Sequence, residues 1–164
     1  MIRINNVHER ELKAPLEKVG QLLDSLSSKE DQLWPKELWP AMRFDRPLQV
    51  DADGGHGPIR YNVESYEPGP NIWFRLKAPR GFNGGHGCEI IETGNETVVL
   101  RHRITMSISG PALLTWPLVI RPLHNALLED ALDLAECYCD PDAQPRSHWS
   151  SWVRFLRWAL RPRR

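Results

Sequence analysis

The stretch Thr97–Ser109, TVVLRHRITMSIS, alternates apolar and polar side chains along most of its length. Alternation with a period of two and one polar face is typical of an antiparallel sheet that buries one face and exposes the other. The segment therefore predicts a long strand of such a sheet. The side chains on its inward phase are Val98, Leu100, His102, Ile104, Met106 and Ile108.

Further strands of the same kind lie upstream of this segment. The alternating stretches are PIRYNVESYE (58–67), NIWFRLKAP (71–79) and GCEIIE (87–92), and the turn sequences EPGPN and TGNE separate them from their neighbours. The opening stretch IRINNVHEREL predicts a first strand, and Leu16–Leu26 predicts an amphipathic helix. Because each proline in LWPKELWP disfavours helical geometry in the tryptophan before it, we expect a second, short and bent helix there.

Downstream of the strands the sequence predicts one long helix. It begins at Ser109-Gly110-Pro111, where serine suits a cap and proline the first turn, and it reaches about Cys139. Pro117 and Pro122 are expected to kink it or restart it. The acidic residues expected on the stripe opposite its apolar one are Glu129, Asp130, Asp133 and Glu136.

The C-terminal segment is set apart by its charge. CDPDAQP (139–145) predicts a linker, and SHWSSWVRFLRWALRPRR (147–164) predicts a basic amphipathic helix. Residues 145–164 hold six arginines and no acid, so the rest of this formally neutral chain carries a net charge of −6. We therefore expect one domain over residues 1–139 and a linker with a basic helical tail over residues 140–164.

Composition places the chain among ordinary globular domains. Its 164 residues suffice for a hydrophobic core, and its hydrophobic fraction of 41% and charged fraction of 26% are average. Three cysteines do not make a disulfide framework, and the N-terminal stretch lacks the apolar segment of a signal peptide. No apolar run reaches the roughly 18 residues of a membrane span. We therefore expect a cytoplasmic protein, with the membrane surface as a further location if the tail binds there.

The sequence GGHG occurs twice, with His56 in the first copy and His86 in the second. Neither copy has the spacing of a phosphate-binding loop. Pairing the intervening strands places the two histidines two strands apart, roughly 10 Å at the usual strand spacing, whereas ligands of one zinc ion lie within about 4 Å of each other. We therefore expect the glycines to serve turns and bulges, and we expect no metal and no cofactor.

The order of these elements resembles that of the helix-grip proteins of the START-like, or SRPBCC, superfamily. The residues that carry the resemblance are LKAPLEKVGQLL, IRYNVESYEPGPNIWFRL, GGHGCEIIE, VVLRHRITMSISG and WPLVIRPLHNALLEDALDLAE, and it covers residues 1 to about 139. The resemblance implies an α+β fold in which a curved antiparallel sheet of six to seven strands wraps around the long C-terminal helix, with two short helices after the first strand. Members bind lipids, sterols, polyketides and other hydrophobic ligands, and some are cyclases or aromatases. The resemblance implies a fold and a cavity but no particular reaction.

A sheet that grips a helix tends to leave an apolar pocket with a few polar groups. The expected function is therefore the binding of a small hydrophobic or amphipathic ligand (lipid-, sterol- or polyketide-like) without catalysis, and Tyr61, His86 and His102 would orient its polar end. Plain core packing is the alternative use of the same side chains. The side chains expected to line the cavity are Trp34, Trp39, Tyr61, Val63, Phe74, Leu76, His86, Cys88, Ile90, Leu100, His102, Ile104, Met106 and Leu127.

Catalysis on the same face is the second class of function. A hairpin at TGNE would place Cys88 opposite His102 and His86 opposite Ile104. A neighbouring imidazole can lower the pKa of a thiol, so Cys88 and His102 are candidates for a nucleophilic pair, and His102 or Tyr61 for an acid or base of a cyclase-like enzyme. The structural alternative is a small buried cysteine and a hydrogen-bonded core histidine.

The basic tail supports a third class, a peripheral membrane or protein-interaction module. Tryptophan and arginine on one amphipathic helix suit an anionic membrane surface. Docking on the acidic body or on a second subunit is the alternative that we favour. No nucleic acid is expected, because nothing else in the chain forms a basic groove. The tail residues expected to make contacts are Trp149, Trp152, Arg154, Arg157, Trp158 and Arg161.

Overall fold

A computed structural model of the protein describes residues 1–161. Arg163 and Arg164, which contribute to the charge of the predicted tail, lie outside the described residues. The strands are β1 (Ile2–Leu12), β2 (Arg43–Phe44), β3 (Asp53–His56), β4 (Ile59–Glu67), β5 (Asn71–Ala78), β6 (Phe82–Gly94) and β7 (Thr97–Ile108). The helices are α1 (Leu16–Asp24), α2 (Ala112–Thr115), α3 (Arg121–Cys139) and α4 (Ser151–Ala159), with a π-helical turn, Trp116–Ile120, between α2 and α3.

The strands form one antiparallel sheet in the order β1-β7-β6-β5-β4-β3-β2. The long strand that the sequence predicts, β7, lies between β1 and β6. Its register is the predicted one, with Cys88 opposite His102. In the preceding turn Gly94 pairs with Thr97, where Thr93 was expected, and the register shifts by one residue at this point. This bulge absorbs the difference, so the predicted side chains still face inward.

The helical path from Ala112 to Cys139 packs against the inner face of the sheet. Pro117 lies in the π-helical turn and Pro122 at the second position of α3, and neither can donate a backbone hydrogen bond. The predicted kink is therefore a π-helical turn through which the helix continues. The fold is α+β, with a curved seven-stranded antiparallel sheet around a long helix, as predicted.

Between α1 and β2 the structure has turns, and the second short helix that was predicted there is wrong. Asp31 organises this segment, because its carboxylate accepts hydrogen bonds from the backbone N–H groups of Ser27, Leu33 and Trp34 at 2.8, 3.0 and 2.9 Å. Donors bound by a side chain in this way, together with the Trp-Pro steps, favour turns over a helix. We call residues 25–42 the cover loop, because several of its side chains close the interior of the domain.

The acidic stripe of α3 is only partly exposed to solvent. Asp130 and Asp133 are only 7% and 4% exposed. On one side β1 presents Arg10, which donates to Asp133 at 3.0 Å. On the other side the chain after α3 returns, and the backbone N–H groups of Arg146 and Ser147 donate to Asp133 at 2.8 and 2.7 Å. Helical periodicity cannot reveal partners of this kind, because they come from distant parts of the sequence.

Candidate functional site

A largely apolar cavity of about 50 Å³ lies between the sheet, α3 and the cover loop. Its walls combine leucines with aromatic rings, and histidines supply nearly all of the polar atoms. The side chains that line it are Leu26, Leu33, Trp34, Met42, His56, Phe74, His86, Cys88, Leu100, His102, His124, Leu127, Leu128, Ala131 and Leu132.

A surface cleft of about 390 Å³ adjoins this cavity. Ser27, Asp31 and Phe44 are among its lining residues, and Trp34 and Met42 line both spaces. These two side chains of the cover loop therefore form the partition between the interior and the surface.

The structure brings only part of the predicted lining set together at the cavity. The predicted residues that line it are Trp34, Phe74, His86, Cys88, Leu100, His102 and Leu127. Those that pack in the surrounding core are Trp39, Tyr61, Val63, Leu76 and Ile90. Ile104 and Met106 lie in a second cluster with Trp116, because α2 and the π-helical turn cover that end of β7. His124 was missed, although it precedes Leu127 and Leu128 at helical spacing on the apolar stripe.

Four histidines, which we call the cavity histidines (His56, His86, His102 and His124), converge on this space from three strands and from α3. Nδ1 of His86 and Nε2 of His102 lie 3.2 Å apart and share a hydrogen bond. The ring of His124 lies 5.1 Å from that of His102, centroid to centroid. Within residues 1–161, Nε2 of His86, Nδ1 of His102 and Nδ1 of His124 have no hydrogen-bond partner.

The His86–His102 pair has a fixed hydrogen-bonding character. Each neutral imidazole carries one proton, on either of its nitrogens. If His86 donates to His102, its own outer nitrogen is a bare acceptor and the outer nitrogen of His102 carries a proton. If His102 donates, the two outer nitrogens exchange roles. The neutral pair therefore presents one donor and one acceptor in either state.

The two GGHG histidines are linked through Tyr61. Nδ1 of His56 shares a hydrogen bond of 2.8 Å with the Tyr61 hydroxyl, and the Tyr61 ring meets the His86 ring edge-on at 4.7 Å. The histidines lie on β3 and β6, three strands apart where two were predicted, because the first copy forms a strand of its own.

The second GGHG copy lies inside β6, so its glycines do not form the turn that the sequence predicts. A Cβ at Gly85 or Gly87 would come within 2.6 or 2.7 Å of the Trp73 side chain, and closer still to the backbone of β5. Glycine is required at both positions because the neighbouring strand and the Trp73 indole occupy that space. The alternation leaves His86, between them, facing inward.

Burial keeps the cavity histidines neutral. It lowers the pKa of His56 to about 4 and that of His124 to about 3. Burial, reinforced by the neighbouring His124, lowers the pKa values of His86 and His102 well below the ordinary range. An imidazole in this setting acts as a hydrogen-bonding group without a charge at neutral pH.

Cys88 and Tyr61 are also held in their neutral forms. Burial, with a smaller contribution from Glu89, raises the pKa of the Cys88 thiol to about 12. Burial likewise raises the pKa of Tyr61 above its ordinary value. The imidazole opposite Cys88, His102, is bonded to His86. These surroundings stabilise a thiol, whereas nucleophilic attack needs a thiolate.

The tail divides into two faces. Trp149 and Arg157 point to the body: Arg157 stacks between the rings of Trp39 and Trp149, at 4.4 and 4.0 Å from their centroids. Both indole N–H groups donate to Asp130, at 2.7 and 2.9 Å. The predicted contact residues that are exposed are Trp152, Arg154, Trp158 and Arg161. The tail thus fastens the cover loop to α3.

No group of three or more His, Cys, Asp or Glu side chains within residues 1–161 is arranged to hold a metal ion. No helix in the same range is long and apolar enough to cross a membrane.

Solved structures with a similar fold exist, although no protein-family model and no curated protein matches the chain. The chain is similar to a protein from Thermobifida fusca, with a TM-score of 0.66 and 16% identity over 88% of this chain and 99% of that one. It is similar to norcoclaurine synthase of Thalictrum, with a TM-score of 0.63 and 13% identity over 87% of this chain and 98% of that one. It is also similar to the di-domain ARO/CYC StfQ of the steffimycin biosynthetic pathway, with a TM-score of 0.60 and 16% identity over 85% of this chain and 51% of that one. The chain therefore has the helix-grip fold.

Proposed function

We propose that the protein binds a small amphipathic molecule in the cavity between the sheet and α3. One observation carries this proposal: in a largely apolar cavity, three histidine nitrogens have no partner among the described residues. A buried polar atom without a partner costs about 1–3 kcal/mol. A ligand that supplies the missing hydrogen bonds recovers this free energy and also buries its own apolar surface.

The His86–His102 pair defines the polar end of the ligand. Because the pair presents one donor and one acceptor, it matches a molecule that carries both a hydroxyl group and a carbonyl group. Leu100, Leu127 and Phe74 would contact the hydrocarbon part. Hydroxylated aromatic and polyketide-like compounds carry both groups on an apolar skeleton. The similarity to a synthase and to an ARO/CYC protein supports the same class of compound.

Binding requires the cavity to enlarge. Ligand sites commonly measure about 300–1,000 Å³, whereas this cavity measures about 50 Å³. Trp34 and Met42 separate it from the adjoining cleft, so their displacement would join the two spaces. We therefore place the access route under the cover loop, between these two side chains.

Calorimetric titration with three compounds of one skeleton tests the proposal. Hydroxytetralone carries a hydroxyl and a carbonyl group, tetralone only the carbonyl, and tetralin neither. We expect affinity to fall in that order, by roughly tenfold for each lost hydrogen bond. His102→Leu should reduce the preference by about tenfold, the contribution of one hydrogen bond, and His148→Leu, at an exposed position, should keep it. Equal affinity for the three compounds, or no binding at all, would contradict the proposal.

Acid–base catalysis of the cyclase kind is the second candidate function. It is favoured by the His86–His102 hydrogen bond. When one histidine takes up a proton at its outer nitrogen, the shared proton can move across this bond and the second histidine can release a proton from its own outer nitrogen. The pair then passes from one of its neutral forms to the other. Such an exchange moves a proton between two atoms of a substrate without creating a buried charge, as enolisation of a ketone requires.

His102→Ala separates the two candidate functions. A binding protein should lose affinity or selectivity by about tenfold, the contribution of one hydrogen bond. An enzyme that relays protons through this pair should lose turnover by a factor of about 100 to 10,000. The measurement is exchange of the α-protons of tetralone for deuterium, followed by NMR with the wild-type protein and the variant. Exchange no faster than in buffer would contradict the catalytic alternative.

A further inference from the structure

The outer face of α4 is unusually apolar for a surface helix. Val153 and Leu156 pack on the body at 4% and 6% exposure, whereas Trp152, Phe155 and Trp158 are 46%, 49% and 68% exposed. The three exposed rings contact one another, with centroids 5.4 and 6.0 Å apart. They form a continuous aromatic stripe along the helix.

The aromatic stripe continues onto a second element. The indole N–H of Trp152 donates to the backbone carbonyl of Leu118 at 2.7 Å, which fixes α4 beside the π-helical turn. Leu118 is 55% exposed, and Leu114, one turn earlier, is 69% exposed. We call this set the aromatic surface; its residues are Leu114, Leu118, Trp152, Phe155, Trp158 and Leu160.

The charged residues of α4 and of the segment around it in the sequence have one sign. From Ala143 to Arg161 the sequence contains no acidic residue. Arg154 and Arg161 are exposed, and Arg121, at the start of α3, is exposed as well. Arg157 is engaged on the inner side between Trp39 and Trp149, so it is not part of this surface.

We propose that the aromatic surface docks on an anionic lipid bilayer, with its rings at the level of the headgroups and Arg154 and Arg161 on lipid phosphates. Contiguous exposed apolar surface of this kind marks an interaction site. Tryptophan prefers the membrane interface, and arginine gains about 1 kcal/mol near an anionic surface. Two copies of the chain are a poorer match, because a symmetric pair would bring like charges together across the contact.

The proposal is independent of the cavity, and it places α4 flat on the membrane. The helix has nine residues, so it can lie on a bilayer but is far too short to cross one. Its inner face remains bound to the body through Val153, Leu156 and Arg157. The whole domain would therefore sit at the membrane surface.

Co-sedimentation of the full chain with vesicles tests the proposal. Vesicles of phosphatidylcholine and phosphatidylglycerol should bind the protein, and vesicles of phosphatidylcholine alone should bind it far more weakly. Phe155→Ala with Trp158→Ala should abolish binding without changing the melting temperature, because both side chains are exposed. Arg154→Gln with Arg161→Gln should weaken binding roughly thirtyfold. Matched controls, Leu38→Ala and Lys29→Gln, replace exposed residues of the cover loop and should bind as the wild type does.

Three results would overturn the proposal. The first is that the wild-type protein stays in the supernatant with anionic vesicles. The second is equal binding to both kinds of vesicle, because the arginines would then have no role. The third is a dimer in sedimentation velocity that the Phe155 and Trp158 substitutions dissociate, which would assign the aromatic surface to a second copy of the chain.

Discussion

Mild acid should destabilise the protein, because the cavity histidines are neutral in the folded state and become protonated on unfolding. Burial lowers the pKa of His56 to about 4 and of His124 to about 3, against about 6.5 in an unfolded chain. Because each folded-state pKa lies below the unfolded value, the contribution of these histidines to the free energy of unfolding is fully present above pH 6.5 and is lost as the pH falls. The loss continues until the pH reaches the folded-state values.

The size of the effect follows from proton linkage. At pH 5 a histidine in the unfolded chain is almost fully protonated, whereas His56 and His124 in the folded protein are almost entirely unprotonated. Each therefore removes about 2 kcal/mol from the free energy of unfolding between pH 8 and pH 5, or about 4 kcal/mol together. His86 and His102, whose pKa values are also lowered by burial, act in the same direction. The total free energy of unfolding of a domain of this size is about 5–15 kcal/mol.

Urea unfolding followed by tryptophan fluorescence measures this free energy at each pH. His124→Leu should reduce the pH dependence between pH 8 and pH 5 by about 2 kcal/mol, whatever its effect on absolute stability. Val50→Ala, at an exposed position without a titratable group, is the control and should leave the pH dependence unchanged. A free energy of unfolding that is constant from pH 8 to pH 5, or an unaltered dependence in His124→Leu, would refute the reasoning.

Three further predictions concern the core and the tail. Because its thiol pKa is raised to about 12, Cys88 should resist alkylation in the native protein at pH 8 and react only after denaturation, which peptide mass mapping detects. Arg157→Ala should lower the melting temperature by roughly 3–6 °C, because the stacked guanidinium is lost. Arg154→Ala, at an exposed position, should not lower it. If the Arg157→Ala variant melts at the same temperature as the wild type, Arg157 has no role in fastening the cover loop. Asp130→Ala should cost about 3 kcal/mol in urea unfolding, because it leaves two indole N–H groups without their acceptor, and Asp130→Asn should cost less.

The sheet was predictable because its pattern is strong and local. Alternation in Thr97–Ser109 identified β7, and the turn after β6 then fixed which side chains face inward, including Cys88 opposite His102. The bulge at Thr93 did not disturb this result, because it lies in the turn rather than in the paired part of the strand. The order of the elements was sufficient for the helix-grip fold.

The cavity was predictable only in part, because its walls meet across long sequence distances. His56 reaches the cavity from a short strand, β3, where the sequence predicts a turn. His124 reaches it because this face of α3 is turned toward the cavity. The cover loop was mistaken for a helix, since the pattern does not reveal that Asp31 binds three backbone donors. The burial of Asp130 was not predicted for a similar reason: its partners, Trp39 and Trp149, are distant in sequence.

Native mass spectrometry of the purified protein tests the central proposal most directly. We expect one small molecule per chain, released on denaturation and carrying both hydroxyl and carbonyl groups. Ala131→Val, which adds two methyl groups to the cavity wall, should remain folded and lose this adduct. A wild-type protein that stays free of adduct even after incubation with excess hydroxytetralone, or an adduct that persists unchanged in Ala131→Val, would contradict the proposed ligand site.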